Sequence, residues 1–210
     1  MRHEKKTENA LFTIVWDIDD VLNNLMQEWL EQEWRPNHPD CTVTFAQIRS
    51  NPPHEVLGIS LLEYQRSLDR FRTGEAGRNL APVPEVVDWF VQHGPRYRHI
   101  ALTARPFVAV PPAADWVFRH FGQWIRGFGF VPSSRETDHA PAYDQDKGDW
   151  LRWIGVGDIL VDDSSANQEA AITLGLQTVL VPQPWNQAGG TIHDALTELS
   201  QKLDLHSPVS

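Results

Sequence analysis

"FTIVWDIDDVLNN", Phe12 to Asn24, places three aspartates directly behind a run of apolar and β-branched residues. The run from Phe12 to Trp16 has no polar face, which is the pattern of a strand buried on both sides in a parallel sheet. Asp17 and Asp19 are two residues apart, so in extended backbone both carboxylates project to the same side. Like charges about 4 Å apart at an effective dielectric near 20 cost on the order of 4 kcal/mol unless a cation or a proton relieves them. The stretch therefore reads as a buried strand whose end needs an electrostatic partner.

Similar apolar runs occur at His99 to Leu102, Ile159 to Val161 and Thr178 to Val181. Helical periodicity appears at Pro84 to Gln92, Ala113 to Phe121, Gly148 to Ile154, Ala166 to Leu174 and Ile192 to Leu203. Gly175 supplies a stop for the fourth of these helices. Alternating strands and helices predict an α/β fold, a Rossmann-like parallel sheet with helices on both faces and ligands gathered outside the carboxyl ends of the strands. Residues 22–81 break this rhythm. They carry helical periodicity at Val21 to Trp34 and Leu61 to Phe71, with "RPNHPDC" and "NPPHEVLG" as loops. A loop that long without structure of its own is improbable, so 22–81 is expected to be a small, mainly helical cap, and 10–21 with 82–210 the α/β core.

Composition narrows the function classes. The chain has 210 residues, 41% of them hydrophobic, enough for one full core plus an insertion. A net charge of -10 argues against nucleic acid or an anionic membrane surface as partner. No apolar stretch has the length of a membrane span. The single cysteine, Cys41, cannot form an internal disulfide, and a reducing cytoplasm is the expected location. The polar start "MRHEKKTENA" has no apolar signal region and reads as a frayed tail. Nine scattered histidines show no zinc-ligand spacing. Oligomeric state is not legible.

A second acidic pair, Asp162 and Asp163, ends another apolar strand in "DILVDDSSANQEAA". Strand ends of one parallel sheet share an edge, and their carboxylates together make an oxygen-only site suited to Mg²⁺. Thr103 in "HIALTARP" offers a hydroxyl, aided by the backbone N–H of Ala104. Lys147 in "QDKGDWL" stands at a helix start, where a lysine does nothing for the helix dipole. An anionic ligand explains it better.

This order of Asp-x-Asp, Thr, Lys and Asp-Asp resembles the haloacid dehalogenase superfamily of phosphohydrolases, through "DIDDVL", "LTA", Lys147 and "VDDSSAN" between about Phe12 and Asn186. The insertion after the first motif looks like that superfamily's helical cap. A narrower similarity, to the 5'(3')-deoxyribonucleotidase branch, rests on "DWVFRHFG", "DDSSAN" and "PQPWN". The resemblance implies a Mg²⁺-dependent phosphomonoester hydrolase, with a nucleoside monophosphate as substrate. Asp17 would be the nucleophile that forms an aspartyl-phosphate, and Asp19 the general acid and base, its pKa raised by the surrounding negative charge. Mg²⁺ would be held by the carboxylates of Asp17 and Asp163 and the backbone carbonyl of Asp19. Thr103, Ala104 N–H and Lys147 would bind phosphate oxygens, assisted by Arg105. Asn167 stands where many members of the superfamily carry a further acidic residue. Alternatives are a phosphosugar or another small phosphate ester as substrate, a receiver-like module, and a catalytically idle phosphate binder.

Other residues have plainer readings. Asp20 is expected to make turn or cap bonds and Asp162 to orient Lys147 or Asp163. Of the nine tryptophans, Trp16, Trp89, Trp116, Trp124, Trp150 and Trp153 are assigned to the core. Tyr64 and Phe71 are candidates to stack a nucleobase, and Trp185 to wedge a loop near the site.

Overall fold

A computed structural model describes residues 11–133, 135, 141 and 143–205; the tail reading of 1–10 lies outside the described residues. Its sheet is five-stranded and parallel, in the order β3-β2-β1-β4-β5. The strands are β1 (Thr13–Trp16), β2 (Arg98–Arg105), β3 (Ile125–Pro132), β4 (Ile159–Asp162) and β5 (Gln177–Leu180). Between the first two strands come α1 (Leu25–Trp29), α2 (Arg35–Asn37), α3 (Leu61–Thr73), α4 (Glu75–Arg78) and α5 (Pro84–His93). After β2 follow α6 (Val110–Phe121), α7 (Lys147–Ile154), α8 (Ser165–Thr173) and α9 (Ile192–Asp204).

The alternation of side chains along β1 decides the layers. Ile14 and Trp16 pack with Val86 and Phe90 of α5, Val117 and Phe121 of α6 and Leu199 of α9. Val15 packs on the opposite face with Leu151 of α7 and Ala171 of α8. Trp16 also donates its indole N–H to Nδ1 of buried His99, whose Nε2 lies 2.9 Å from the Gly94 carbonyl. That arrangement suits a neutral imidazole, and burial pushes the His99 pKa down to about 4 against the weaker pull of the Gly94 bond.

Four points of the sequence reading need correction. β3 is absent from the sequence reading because Gly127 and Gly129 interrupt its apolar run, yet Gly129 is a packing requirement. A Cβ on Gly129 would lie 2.2 Å from the Trp150 ring. The helix expected from Val21 starts only at Leu25, after a turn in which Asp20 takes a φ of 60°, and it continues as a π-helix over Leu30–Trp34. The opening of "RPNHPDC" is then the short helix α2 rather than loop. Among the tryptophans assigned to the core, Trp153 is 72% exposed, and Trp124 is only half-buried, in the turn before β3.

The segment between β1 and α5 has an apolar core of its own, with Trp29, Leu30 and Trp34 packed on Tyr64, Leu68 and Phe71. Its outgoing and returning chains run side by side, since Asn23 bridges Pro82 and Val83 N–H donates to Leu22 O at 2.9 Å. The segment's path thus begins and ends beside the carboxyl end of β1.

Candidate active site

Parallel pairing of β1 with β4 sets Trp16 opposite Val161, and Asp17 N–H donates to Val161 O at 2.9 Å. The next residues of both strands are then lateral neighbours. Carboxylate oxygens of Asp17, Asp162 and Asp163, all buried, lie within 4.8 Å of one another. Lys147 enters at the N-terminus of α7, capped by the Asp146 side chain, and is 2% exposed. Its Nζ is 2.8 Å from Asp17 Oδ1 and 2.7 Å from Asp162 Oδ2. Burial by itself would lower the Lys147 pKa, but Asp162 and Asp17 outweigh it and hold the ammonium above its ordinary value. Lys147 therefore stays charged.

The three carboxylates have different bonding. Asp162 is saturated: besides Lys147 it accepts from Ser164 N–H at 2.8 Å and from the Asn167 amide at 3.0 and 3.1 Å. It anchors the lysine. Asp17 Oδ1 accepts from Lys147 and from Ile18 N–H at 2.7 Å, while its Oδ2 has no partner among the described residues. Asp163 Oδ2 accepts from the Trp185 indole at 2.7 Å, and its Oδ1 is likewise without a partner. Burial, with Asp162 and Asp19 nearby and Lys147 opposing, raises Asp17 to about 6. Burial and the charges of Asp17, Asp162 and Asp20 hold Asp163 well above the carboxylate range. One lysine does not balance the cluster.

That imbalance is the fit test for a divalent cation. Two open carboxylate oxygens, on groups whose pKa values are raised by crowding, match the hard oxygen chemistry of Mg²⁺. An orphaned donor stands nearby: Thr103, inside β2 and 1% exposed, has a buried Oγ1 without a hydrogen-bond partner among the described residues. Such an orphan costs free energy unless an acceptor such as a phosphate oxygen meets it.

Asp19 contradicts one sequence expectation. Burial would raise its pKa, but Arg105 and Arg72 overcome that, and the carboxyl lies below its ordinary value. Arg72 Nη2 is 2.8 Å from Asp19 Oδ2 and Arg105 Nε 3.0 Å from the same oxygen, with Arg105 Nη2 on Oδ1. Arg105 thus binds Asp19 here. Arg72 was missed altogether, although a charged residue on the buried stripe Tyr64, Leu68, Phe71 of α3 is a signal in itself. Asp20, as expected of it, accepts a cap bond from Met26 N–H at 2.9 Å.

Asp17, Asp19, Asp20, Arg72, Thr103, Lys147 and Asp163 line one cavity of about 440 Å³. Asp17, Thr103, Lys147 and Asp163 lie on the core side, together with Ala104 and Asn167. Opposite them stand Tyr64, Leu68 and Arg72 of α3. Phe71 is not among the lining residues; it is buried in the insertion's own core. Trp185 does line the cavity, its ring edge-on to Phe45 at 5.9 Å.

The fold has counterparts among solved structures. A haloacid dehalogenase-like hydrolase from Streptococcus pneumoniae matches with a TM-score of 0.59 at 12% identity, over 92% of this chain and 98% of that one. The chain has a haloacid dehalogenase-like fold. A hydrolase from Streptococcus pneumoniae TIGR4 matches with a TM-score of 0.55 at 14% identity over 92% and 98% of the two chains. Protein tyrosine kinase A from Mycobacterium tuberculosis matches with a TM-score of 0.59 at 16% identity over 91% and 98%. Similar folds thus occur under different stated activities, and function must be argued from the site. No family model and no curated protein matches the sequence. Among the described residues no helix is long and apolar enough to cross a membrane.

Proposed function

We propose that this protein is a Mg²⁺-dependent phosphomonoester hydrolase acting on a nucleoside monophosphate in the cytoplasm. One observation carries the reading: Asp17 has one carboxylate oxygen on Lys147 and Ile18 N–H and the other open, beside open Asp163 and orphaned Thr103, at the wall of a 440 Å³ cavity. The carboxylates of Asp17 and Asp163 and the backbone carbonyl of Asp19 would hold the ion. Bound there, Mg²⁺ supplies charge neutralisation for a phosphate dianion approaching carboxylates.

The chain's own groups provide the remaining chemistry. Lys147 keeps Asp17 oriented and its charge matched, and Asp162 with Asn167 keeps Lys147 in place. A carboxylate oxygen of Asp17 attacks phosphorus, the bond to the leaving oxygen breaks, and the released alkoxide takes a proton from Asp19. Thr103 Oγ1 and Ala104 N–H donate to the phosphate oxygens. Water then attacks the aspartyl-phosphate, Asp19 accepts its proton, and the phosphorus–Asp17 bond breaks.

Ionised Asp19 suits that second half as it stands. The first half needs Arg72 and Arg105 to turn from Asp19 toward the incoming phosphate, after which burial favours the protonated acid. Support for a nucleoside as leaving group comes from the cavity's size and its mixed wall of Leu25, Leu61, Leu68 and Trp185 with polar neighbours. A screen of nucleoside monophosphates and sugar phosphates with Mg²⁺ or with a chelator tests the proposal. Turnover that is metal-dependent and greatest with nucleotides is expected; equal turnover in the chelator, or preference for sugar phosphates, refutes the respective part.

A further inference from the structure

The wall facing the acidic cluster is one stripe of α3. Leu61, Tyr64, Gln65, Leu68 and Arg72 all line the cavity, at spacings that place them on one helical face. At 1.5 Å per residue this stripe extends about 16 Å away from Asp19, so a leaving group passes Arg72 and then meets Leu68, Tyr64 and Gln65.

Tyr64 is the informative member. Its ring packs edge-on against Trp29 at 5.2 Å, and at 4% exposure it offers little open face to a stacked base. Its hydroxyl nevertheless has no hydrogen-bond partner among the described residues and is not one of the sealed polar atoms, so it opens to the cavity. Burial, against the pull of Arg72, holds the phenol above its ordinary pKa and keeps it a donor. The cations beside it already have counter-charges. Arg72 and Arg105 lie on Asp19, and Arg135 lies 2.6 Å from Asp69.

We propose that the Tyr64 hydroxyl determines substrate choice by donating a hydrogen bond to an acceptor on an uncharged leaving group, such as the sugar or base of a nucleoside monophosphate. This rests on the phosphomonoesterase reading and assigns the ring a supporting role against Trp29. A leaving group without an acceptor gains nothing from this donor, so the hydroxyl favours nucleosides by the hydrogen bond that it adds.

Tyr64→Phe retains the ring and removes only the donor. Hydrolysis of nucleoside 5'-monophosphates should fall roughly tenfold in kcat/KM. Phenyl phosphate, whose leaving group has no acceptor beyond the scissile oxygen, should be unaffected. Equal losses on both esters, or none on either, overturn the assignment. Calorimetric titration of a nucleoside 5'-monophosphate and of inorganic phosphate into both proteins separates the two readings. If the wild type turns over neither ester, the phosphomonoesterase reading falls, whereas weaker nucleotide binding with unchanged phosphate binding in the variant still supports the hydroxyl's role. Equal nucleotide binding by the two proteins, or none by either, overturns it.

Discussion

Asp17→Asn removes one of the charges that the site's crowding makes expensive. Asp17 is raised from 3.8 to about 6, chiefly by burial, then by Asp162 and Asp19, against Lys147. A folded-state pKa above the unfolded value means that folding is favoured by the protonated form. This contribution is complete below pH 3.8 and is lost as pH rises through about 6. The difference of about 2 units corresponds to about 3 kcal/mol. In chelator at pH 7.5, Asp17→Asn, which mimics the protonated acid, should therefore be more stable than the wild type by up to about 3 kcal/mol, and the gap should close by about pH 4. His99, lowered to about 4 by burial, has the opposite pH dependence over the same window but is common to both proteins and cancels in the difference. Urea unfolding at several pH values gives the measurement. Mg²⁺ at about 100 times its dissociation constant should stabilise the wild type by about 2.7 kcal/mol and the variant far less, closing the gap at pH 7.5 as well. A variant less stable than wild type at pH 7.5 in chelator, or a gap independent of pH, would refute the reasoning that crowded carboxylates await a cation.

Arg105→Gln removes the strongest of the charges that lower the Asp19 pKa, so the acid limb of kcat should move to higher pH; a limb that stays in place would remove Asp19 as the base. Gly129→Val places a Cβ that meets the Trp150 ring at 2.2 Å and should cost about 3 kcal/mol in denaturant unfolding. A loss under about 0.5 kcal/mol would show that the ring gives way freely.

The sheet was legible wherever apolar runs ended in polar clusters. β1, β4 and β5 lie close to their expected positions, and α5, α6, α7, α8 and α9 start within a few residues of theirs. Local capping explains the agreement: Ser164 and Thr191 accept the bonds that open α8 and α9, and both are visible in the sequence. β3 was not legible, because the close approach of Trp150 that requires Gly129 is a long-range fact. The same holds for the start of α1, which depends on the left-handed turn at Asp20.

For the site, the chain alone determined that acidic strand ends of a parallel sheet would meet: chain direction and sheet register are local consequences of buried apolar runs. That Asp17, Asp162 and Lys147 converge follows from this. Which carboxylate is charged, and by whose agency, was decided only in three dimensions. Arg72 reaches Asp19 from 53 positions away and, with Arg105, reverses the upward pKa shift that burial alone would give. Coulomb energy depends on final separation and burial, and neither is encoded in the spacing of residues along a chain.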